Sequence, residues 1–367
     1  MSIPPFFDRK YILLAIGAVC LFFLIFYILG NADFFKVTYK TIVADNFVLA
    51  PTPKPLPPLD KFVYDKKLIQ LANNGTSTIA NATSTATSTV SLTQNLWPVK
   101  TVYPLAGAIL PFNRIVAYYG NFYSTRMGAL GEYPPDEMLQ RLDVEVKKWQ
   151  VADPTTPVIP ALHYIAVTAQ VSPGVDSKYR LRMPASQIDI AIELAKKING
   201  LVFLDLQVGL SNLQTEIPLL EHYFKMPQVG LAIDPEFSMK TGAQPGTVIG
   251  TFDAADINYA ATYLANLVRE NNLPPKILII HRFTGPMVTR YKQIKVLPEV
   301  QIVMDMDGWG SPAKKIDTYV GFIYAQPVQF TGFKLFYKND LKPPSTQMLT
   351  PAQILKLKPQ PSYIQYQ

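Results

Sequence analysis

Between residue 103 and the end of the chain, eight short apolar runs recur, separated by stretches with helical periodicity. This alternation limits the chain to folds built around a parallel sheet. The runs are Arg114–Tyr119, Pro157–Leu162, Leu201–Leu206, Val229–Asp234, Lys276–His281, Val300–Asp305, Gly332–Tyr337 and Pro361–Tyr366. Helices are expected over 136–150, with Met138, Leu142, Val146 and Trp149 on one face, and over 186–199 with Ser186 as cap. Further helices are expected over 212–225, 253–271, near 313–325, and over 351–357 behind Thr350. Eight strands over about 265 residues match a (β/α)8 TIM barrel, which takes about 250. An open doubly wound sheet is the competing architecture, but it does not need a last strand so close to the C-terminus. In a barrel that strand closes the sheet.

The first 102 residues read differently. Tyr11–Leu29 is an uncharged apolar run of 19 residues, long enough as a helix to rise about 28 Å. A single transmembrane helix is therefore expected over 11–30, after a cytoplasmic tail over 1–10. A cleavable signal would have a shorter apolar core and a small-residue cleavage site, and none is convincing here. Cys20 is followed by Leu21, Phe22, Phe23 and Leu24, so it reads as a membrane-helix residue rather than a lipidation site. Arg9 and Lys10 precede the run while Lys36 and Lys40 follow it, so charge sets the orientation only weakly. The long C-terminal domain favours an extracytoplasmic placement. Residues 31–102 are expected to be a linker, Pro-rich over 51–58 and uncharged Ser/Thr-rich over 73–95, with some apolar pattern at 34–50 and 60–72.

Composition removes several function classes. The net charge of +7 is spread thinly: residues 1–100 carry nine Lys/Arg against five Asp/Glu, and the rest 25 against 22. A nucleic-acid binder concentrates such an excess on one face, so no nucleic-acid partner is expected. Cys20 is the sole cysteine, which excludes intramolecular disulfides and cysteine-based zinc sites.

Polar residues collect where the strands end, the side on which barrels place their active sites. Asp205, Asp234, Glu236 and Asp305 are the catalytic candidates. Tyr118 and Tyr119 end the first strand, with Glu132 in the loop beyond. His163 ends the second, though a satisfied core histidine is the more ordinary role for it. Gln207 shares a face with Asp205, and Asp307 with Asp305. His281 and Arg282 end the fifth strand, and Tyr337 the seventh. Lys334 alternates with Phe333 and Leu335, so it is expected to point into the barrel and pair with Asp205 or Asp305. Trp309, between two glycines, suits stacking on a sugar ring. Burying so many polar groups without partners would cost several kcal/mol, on the order of 1–3 for each, so either a pocket or a paired network is implied.

The ordered motifs GALGE (128–132), LDLQVG (204–209), AIDPEF (232–237), HRF (281–283), MDGWG (306–310), GFKLFY (332–337) and the terminal YQ resemble those of a group of exported or membrane-anchored bacterial barrel proteins, over residues 112–367. The resemblance implies a TIM barrel and export, and brings no assigned chemistry. The domain is also similar in style to glycoside hydrolases. Their largest barrel clan carries an acid at strand four, which Glu236 matches, and a glutamate nucleophile at strand seven. Here strand seven offers Tyr337 and Asp340 instead, and the chitinase-like DxxDxDxE pattern is absent.

The leading expectation is a protein tethered to the membrane by its N-terminal helix that binds or hydrolyses cell-envelope glycans, with Glu236 as general acid and Asp205 or Asp305 as base or nucleophile. Two alternatives stand beside it. One is a non-catalytic envelope binding or scaffold protein. The other is a metal-dependent hydrolase through Asp205, Asp234, His281 and Asp305, although no HxH or HExxH spacing supports it. No cofactor and no metal ligand is assigned.

Overall fold

The computed structural model describes Leu56, residues 58–74 and residues 95–367. The expected membrane helix, and most of the Pro-rich and Ser/Thr-rich runs, lie outside the described residues. Among the described residues no helix is long and apolar enough to cross a membrane.

Eight parallel strands close on themselves: β1 (Arg114–Gly120), β2 (Val158–Ala169), β3 (Leu201–Leu206), β4 (Val229–Ile233), β5 (Lys276–Arg282), β6 (Val300–Met306), β7 (Phe330–Leu335) and β8 (Tyr363–Tyr366). Each pairs with the next in parallel, and β8 returns to β1 through Ile115↔Tyr363 and Tyr118↔Tyr366. The sheet is therefore a closed barrel rather than the open doubly wound alternative. Side chains alternate, apart from a register shift in β2 between Ile165 and Val167. Ile115, Ala117, Phe203, Ile277, Ile279 and Tyr363 fill the interior, while Val116, Leu162, Val202, Leu204, Leu278 and Ile280 face the helices outside.

The helical layer comprises α1 (Lys61–Ala72), α2 (Pro135–Ala152), α3 (Ala185–Lys197), α4 (Ala254–Asn271), α5 (Pro312–Thr318, running on as a wider turn to Tyr324) and α6 (Pro351–Ile354). Local chemistry sets their ends. α2 begins on Pro135, with Asp136 and Glu137 placed against the positive end of the helix dipole. Reciprocal capping boxes start α4 (Asp253 with Asp256) and α6 (Thr350 with Gln353). Ser186 is not a cap: α3 starts at Ala185 after Pro184, which leaves Ser186 inside the first turn.

Two connections carry no full helix, and the first of them departs from the expectation. The stretch 212–225 breaks into three short turns, because Pro218 has no N–H to continue a helix. Between β5 and β6 there is only the short turn Tyr291–Gln293 and a two-residue strand (Val288–Thr289) that pairs with Phe252–Asp253. The barrel is thus closed, but its β3–β4 and β5–β6 crossovers lack a full helix. β7 also starts and ends two residues earlier than the apolar run suggested, so Phe336 and Tyr337 lie beyond the strand.

Part of the expected linker is structure. α1 is capped by Asp60, whose carboxylate accepts from the Val63 N–H, and ends at Asn73 in the left-handed conformation. Its Tyr64 is buried edge-on to Tyr103 and Phe112. Gln360 N–H donates to Leu71 O, and Asn73 Nδ2 to Leu355 O and Leu357 O. Those partners lie just ahead of β1 and β8, so α1 covers the N-terminal end of the barrel. Among the described residues the opposite end is left open.

Candidate functional site

Strand register determines which side chains meet. With the pairings Tyr119↔His163, His163↔Phe203, Asp205↔Ala232, His281↔Asp305, Gly332↔Asp305 and Lys334↔Gln365, each step to the next strand shifts the register by one residue. The interior therefore stacks in layers of four side chains from alternate strands. From the open end inward, Asp234, Asp307 and Gln367 lie with Ile165. Next come Tyr119, Asp205, His281 and Lys334, and then His163, Ala232, Asp305 and Gln365. Below these the interior is apolar, with Ala117, Phe203, Ile279 and Gly332. The small residues make room for the polar ones: a Cβ on Gly332 would stand 2.5 Å from Asp305 Oδ1. Gly332→Ala should lower stability by about 1–3 kcal/mol, as overpacking of a filled interior does. Chemical denaturation reads the loss, and an unchanged midpoint would show that Asp305 can move aside.

Above the stack is a cavity of about 610 Å³, lined among others by Tyr119, Gln207, Asp234, Glu236, Asp307 and Lys334. Its rim carries Trp309, Phe237, Phe283 and Phe336, and the cations Arg126 and Lys314. Glu236 sits on a turn capped by its neighbour. Asp234 Oδ1 accepts from the Glu236 N–H at 3.1 Å and caps the tight turn Pro235–Phe237. Gln207 Nε2 reaches Asp234 Oδ2 at 3.4 Å and the Tyr119 hydroxyl at 3.2 Å. Lys334 Nζ pairs with Asp307 Oδ1 at 2.9 Å and lies over the Tyr119 ring, 3.8 Å from its centroid. Its partner is thus Asp307, not Asp205 or Asp305.

Burial and charge push the cavity carboxyls apart. Burial raises Glu236 to about 7, the Asp307 charge adds to the rise, and Lys334 and His281 only partly offset it. Asp234 caps the turn that carries Glu236, and the two neighbouring carboxyls repel each other when charged. For Asp307, burial is outweighed by Lys334 and His281, which hold it at about 2. Burial pushes Asp234 well above the carboxylate range, and Asp305 up as well. Asp205 is also pushed upward by burial, but His281, His163 and Lys334 win and lower it. Burial lowers His163 to about 4. Burial opposes protonation of His281 too, yet Asp205, Asp307 and Asp305 together raise it well above its ordinary value.

The sequence-derived candidates divide into three groups. Tyr119, Gln207, Asp234, Glu236, Asp307, Trp309 and Lys334 line the cavity. His163, Asp205, His281 and Asp305 are fully buried in the layers beneath it. Tyr118, Tyr337, Arg282 and Glu132 stand elsewhere, as does Asp340. Tyr118 has the opposite strand parity, and its hydroxyl meets that of Tyr337 outside the sheet, where Tyr337 donates to Glu145. Arg282 also faces outward, and its guanidinium ties the loop after β5 through Thr284 O, Gly285 O, Val288 O and Gln326 Oε1. Glu132 pairs with Lys338 at the surface. Asp340 is buried: it receives the Gly310 and Phe336 N–H groups and pairs with Lys315, fastening the loop that carries Trp309. Arg126, Lys314 and Gln367 were not among the candidates. Arg126 sits on a loop with no periodicity to reveal its direction and Lys314 lies in the first turn of α5, whereas the parity of β8 could have found Gln367.

No protein-family model matches this chain, and no curated protein matches it. Among solved structures it is similar to the Plasmodium falciparum HPPK-DHPS wild type with pteroate, at 9% identity and a TM-score of 0.30. That similarity covers 69% of this chain and 44% of the other, so the chain spans less than half of that neighbour's length.

Proposed function

We propose that the cavity binds a cell-envelope glycan and hydrolyses a glycosidic bond, with Glu236 as general acid and Asp307 as the ionised carboxylate that activates water or attacks the sugar. One observation carries this reading: two carboxyl groups lining one cavity are displaced in opposite directions, Glu236 up to about 7 and Asp307 down to about 2. Such a split separates an acid from a base or nucleophile. The aromatic rim, Trp309 above all, suits the apolar face of a sugar ring. Asp205 and Asp305, expected in the second role, lie a layer or more below the cavity, whereas Asp307 lines it. In the same reading the run Tyr11–Leu29 tethers the domain to the membrane with the barrel on the extracytoplasmic side.

The test is turnover of purified full-length protein against envelope glycan fragments, followed by release of reducing ends. Hydrolysis with defined anomeric stereochemistry supports the proposal. Ligand-induced stabilisation without turnover favours the binding reading instead, and the Lys334–Asp307 pair at the cavity floor, which already occupies one carboxylate oxygen, is the observation on its side.

The pH dependence follows from Glu236, which faces Asp307, Lys334, His281 and Asp234. The acid works while protonated, so kcat/KM should fall tenfold per pH unit above about 7 and show no matching acidic limb near pH 4, because Asp307 is still ionised there. The same group affects folding. Its folded value lies above its unfolded value of 4.5, so its stabilising contribution is complete below about 4.5 and is lost as the pH rises through about 7. A pH–rate profile flat from 5 to 9 would remove Glu236 from the acid role.

A further inference from the structure

Beneath the cavity floor, three side chains from β2, β3 and β5 converge on one point. His163 Nε2 and His281 Nε2 each stand 3.7 Å from Asp205 Oδ2, and all three residues are 0% exposed. These separations are too long for hydrogen bonds, which hold imidazole and carboxylate at about 2.7–2.9 Å when charge-assisted. Among the described residues neither Nε2 atom, nor Asp205 Oδ1, has a hydrogen-bond partner. Unpaired buried polar atoms are costly, and here they cluster around a common centre.

The spacing fits metal coordination. Two ligand atoms each about 2.1 Å from one ion stand about 3.4 Å apart at a tetrahedral angle and about 3.6 Å apart at 120°. The ligand atoms of His163, Asp205 and His281 all lie within 4.8 Å of one another. The outer nitrogen of His163 is held by a hydrogen bond, while that of His281 has carboxylates nearby without hydrogen-bond geometry. His163 Nδ1 is 2.6 Å from the Tyr363 hydroxyl, which Gln365 Nε2 supports at 3.1 Å. His281 Nδ1 faces Asp305 Oδ2 at 3.3 Å and Asp307 Oδ2 at 3.2 Å. Carboxylates beside Nδ1 of His281 favour the tautomer with its proton there and a lone pair on Nε2, the usual support of a metal-bound histidine, while the tyrosine hydroxyl beside His163 accommodates either tautomer. The Tyr119 hydroxyl, 3.2 Å from Asp205 Oδ2, lies on the cavity side.

We propose that His163, Asp205 and His281 hold a divalent transition cation, zinc in the first instance, in the polar core layer directly under the cavity. Two imidazoles and one carboxylate suit zinc and its neighbours in the first transition row better than magnesium or calcium, which prefer all-oxygen shells. The site differs from the metal set weighed from sequence. It includes His163 and leaves out Asp234 and Asp305, of which the first caps the Glu236 turn and the second backs His281. It is also independent of glycan hydrolysis, since an ion here stabilises the core whether or not the cavity turns over a substrate.

The test uses the full chain without a polyhistidine tag, stripped with a chelator and titrated with ZnCl2. One equivalent of zinc should be retained after gel filtration, and Tm should rise by about 5–10 °C at a hundredfold excess over Kd. CoCl2 in place of zinc should give the visible absorption of a low-coordinate cobalt ion. His163→Gln and His281→Gln should each lose the bound equivalent while keeping the far-ultraviolet circular dichroism of the parent. Wild-type protein that retains no zinc and shows no shift overturns the proposal, as does a full equivalent retained by both variants. If the variants do not fold, the wild-type cobalt spectrum decides: its appearance supports the site and its absence overturns it.

Discussion

Glu236→Gln should lower kcat on a glycan substrate by about 10²–10⁴-fold, the range expected for loss of a general acid, while leaving Tm at or slightly above that of the parent. Gln keeps the shape and the backbone N–H that Asp234 receives, but it cannot give up a proton. Stability should not suffer, because the substitution removes a carboxyl that burial already keeps from ionising below about pH 7. Asp307→Asn should behave differently. It removes the partner of Lys334 and should lose both activity and stability, since a nearly buried ammonium is left with a neutral amide. Measuring kcat and Tm side by side separates the two roles. Retained activity in Glu236→Gln would remove it as the acid.

The second large effect lies outside the cavity. Asp340 and Lys315 are both almost fully buried and pair at 2.9 Å. Lys315 Nζ also donates to Gly308 O and Lys334 O, while Asp340 accepts from Gly310 and Phe336. This pair joins the loop after β6 to the end of β7. Asp340→Ala leaves a buried ammonium without its counterion, which costs about 3–5 kcal/mol. For a domain of this size that is a fall in Tm of roughly 6–20 °C. Asp340→Asn, which keeps the shape and one acceptor, should lose less. Thermal unfolding of both variants checks the order, and a loss below about 1 kcal/mol in Asp340→Ala would show that water reaches Lys315.

The strands were legible because each is a compact apolar run, and the positions of β3 (Leu201–Leu206) and β1 follow the runs closely. The polar convergence was legible too, since Asp205, Asp234, His281 and Asp307 all interrupt apolar runs near their ends. Strand parity was harder. Tyr118 and Tyr119 are adjacent in sequence but face opposite sides of the sheet, and the same one-residue step separates His281 from Arg282. Which interior groups meet depends on how the register shifts around the closed sheet, a property of strand pairing and not of any single strand. That is why the sequence points Lys334 to Asp205 or Asp305 rather than to Asp307, and why it does not join His163 to His281. The break at Pro218 follows from a local rule that a longer amphipathic pattern concealed. α1 was anticipated only as weak apolar periodicity, because its burial comes from Tyr64 docking on the barrel end and not from a strongly apolar face.

The most direct test of the central claim is a carbon-detected nuclear magnetic resonance titration of the side-chain carboxyls, with Glu236 and Asp307 assigned through Glu236→Gln and Asp307→Asn. The account predicts a Glu236 midpoint at about 7 and an Asp307 carboxyl that stays ionised down to about 2. Both groups titrating together near 4 would mean that the cavity does not separate an acid from a base, and would contradict the hydrolytic reading.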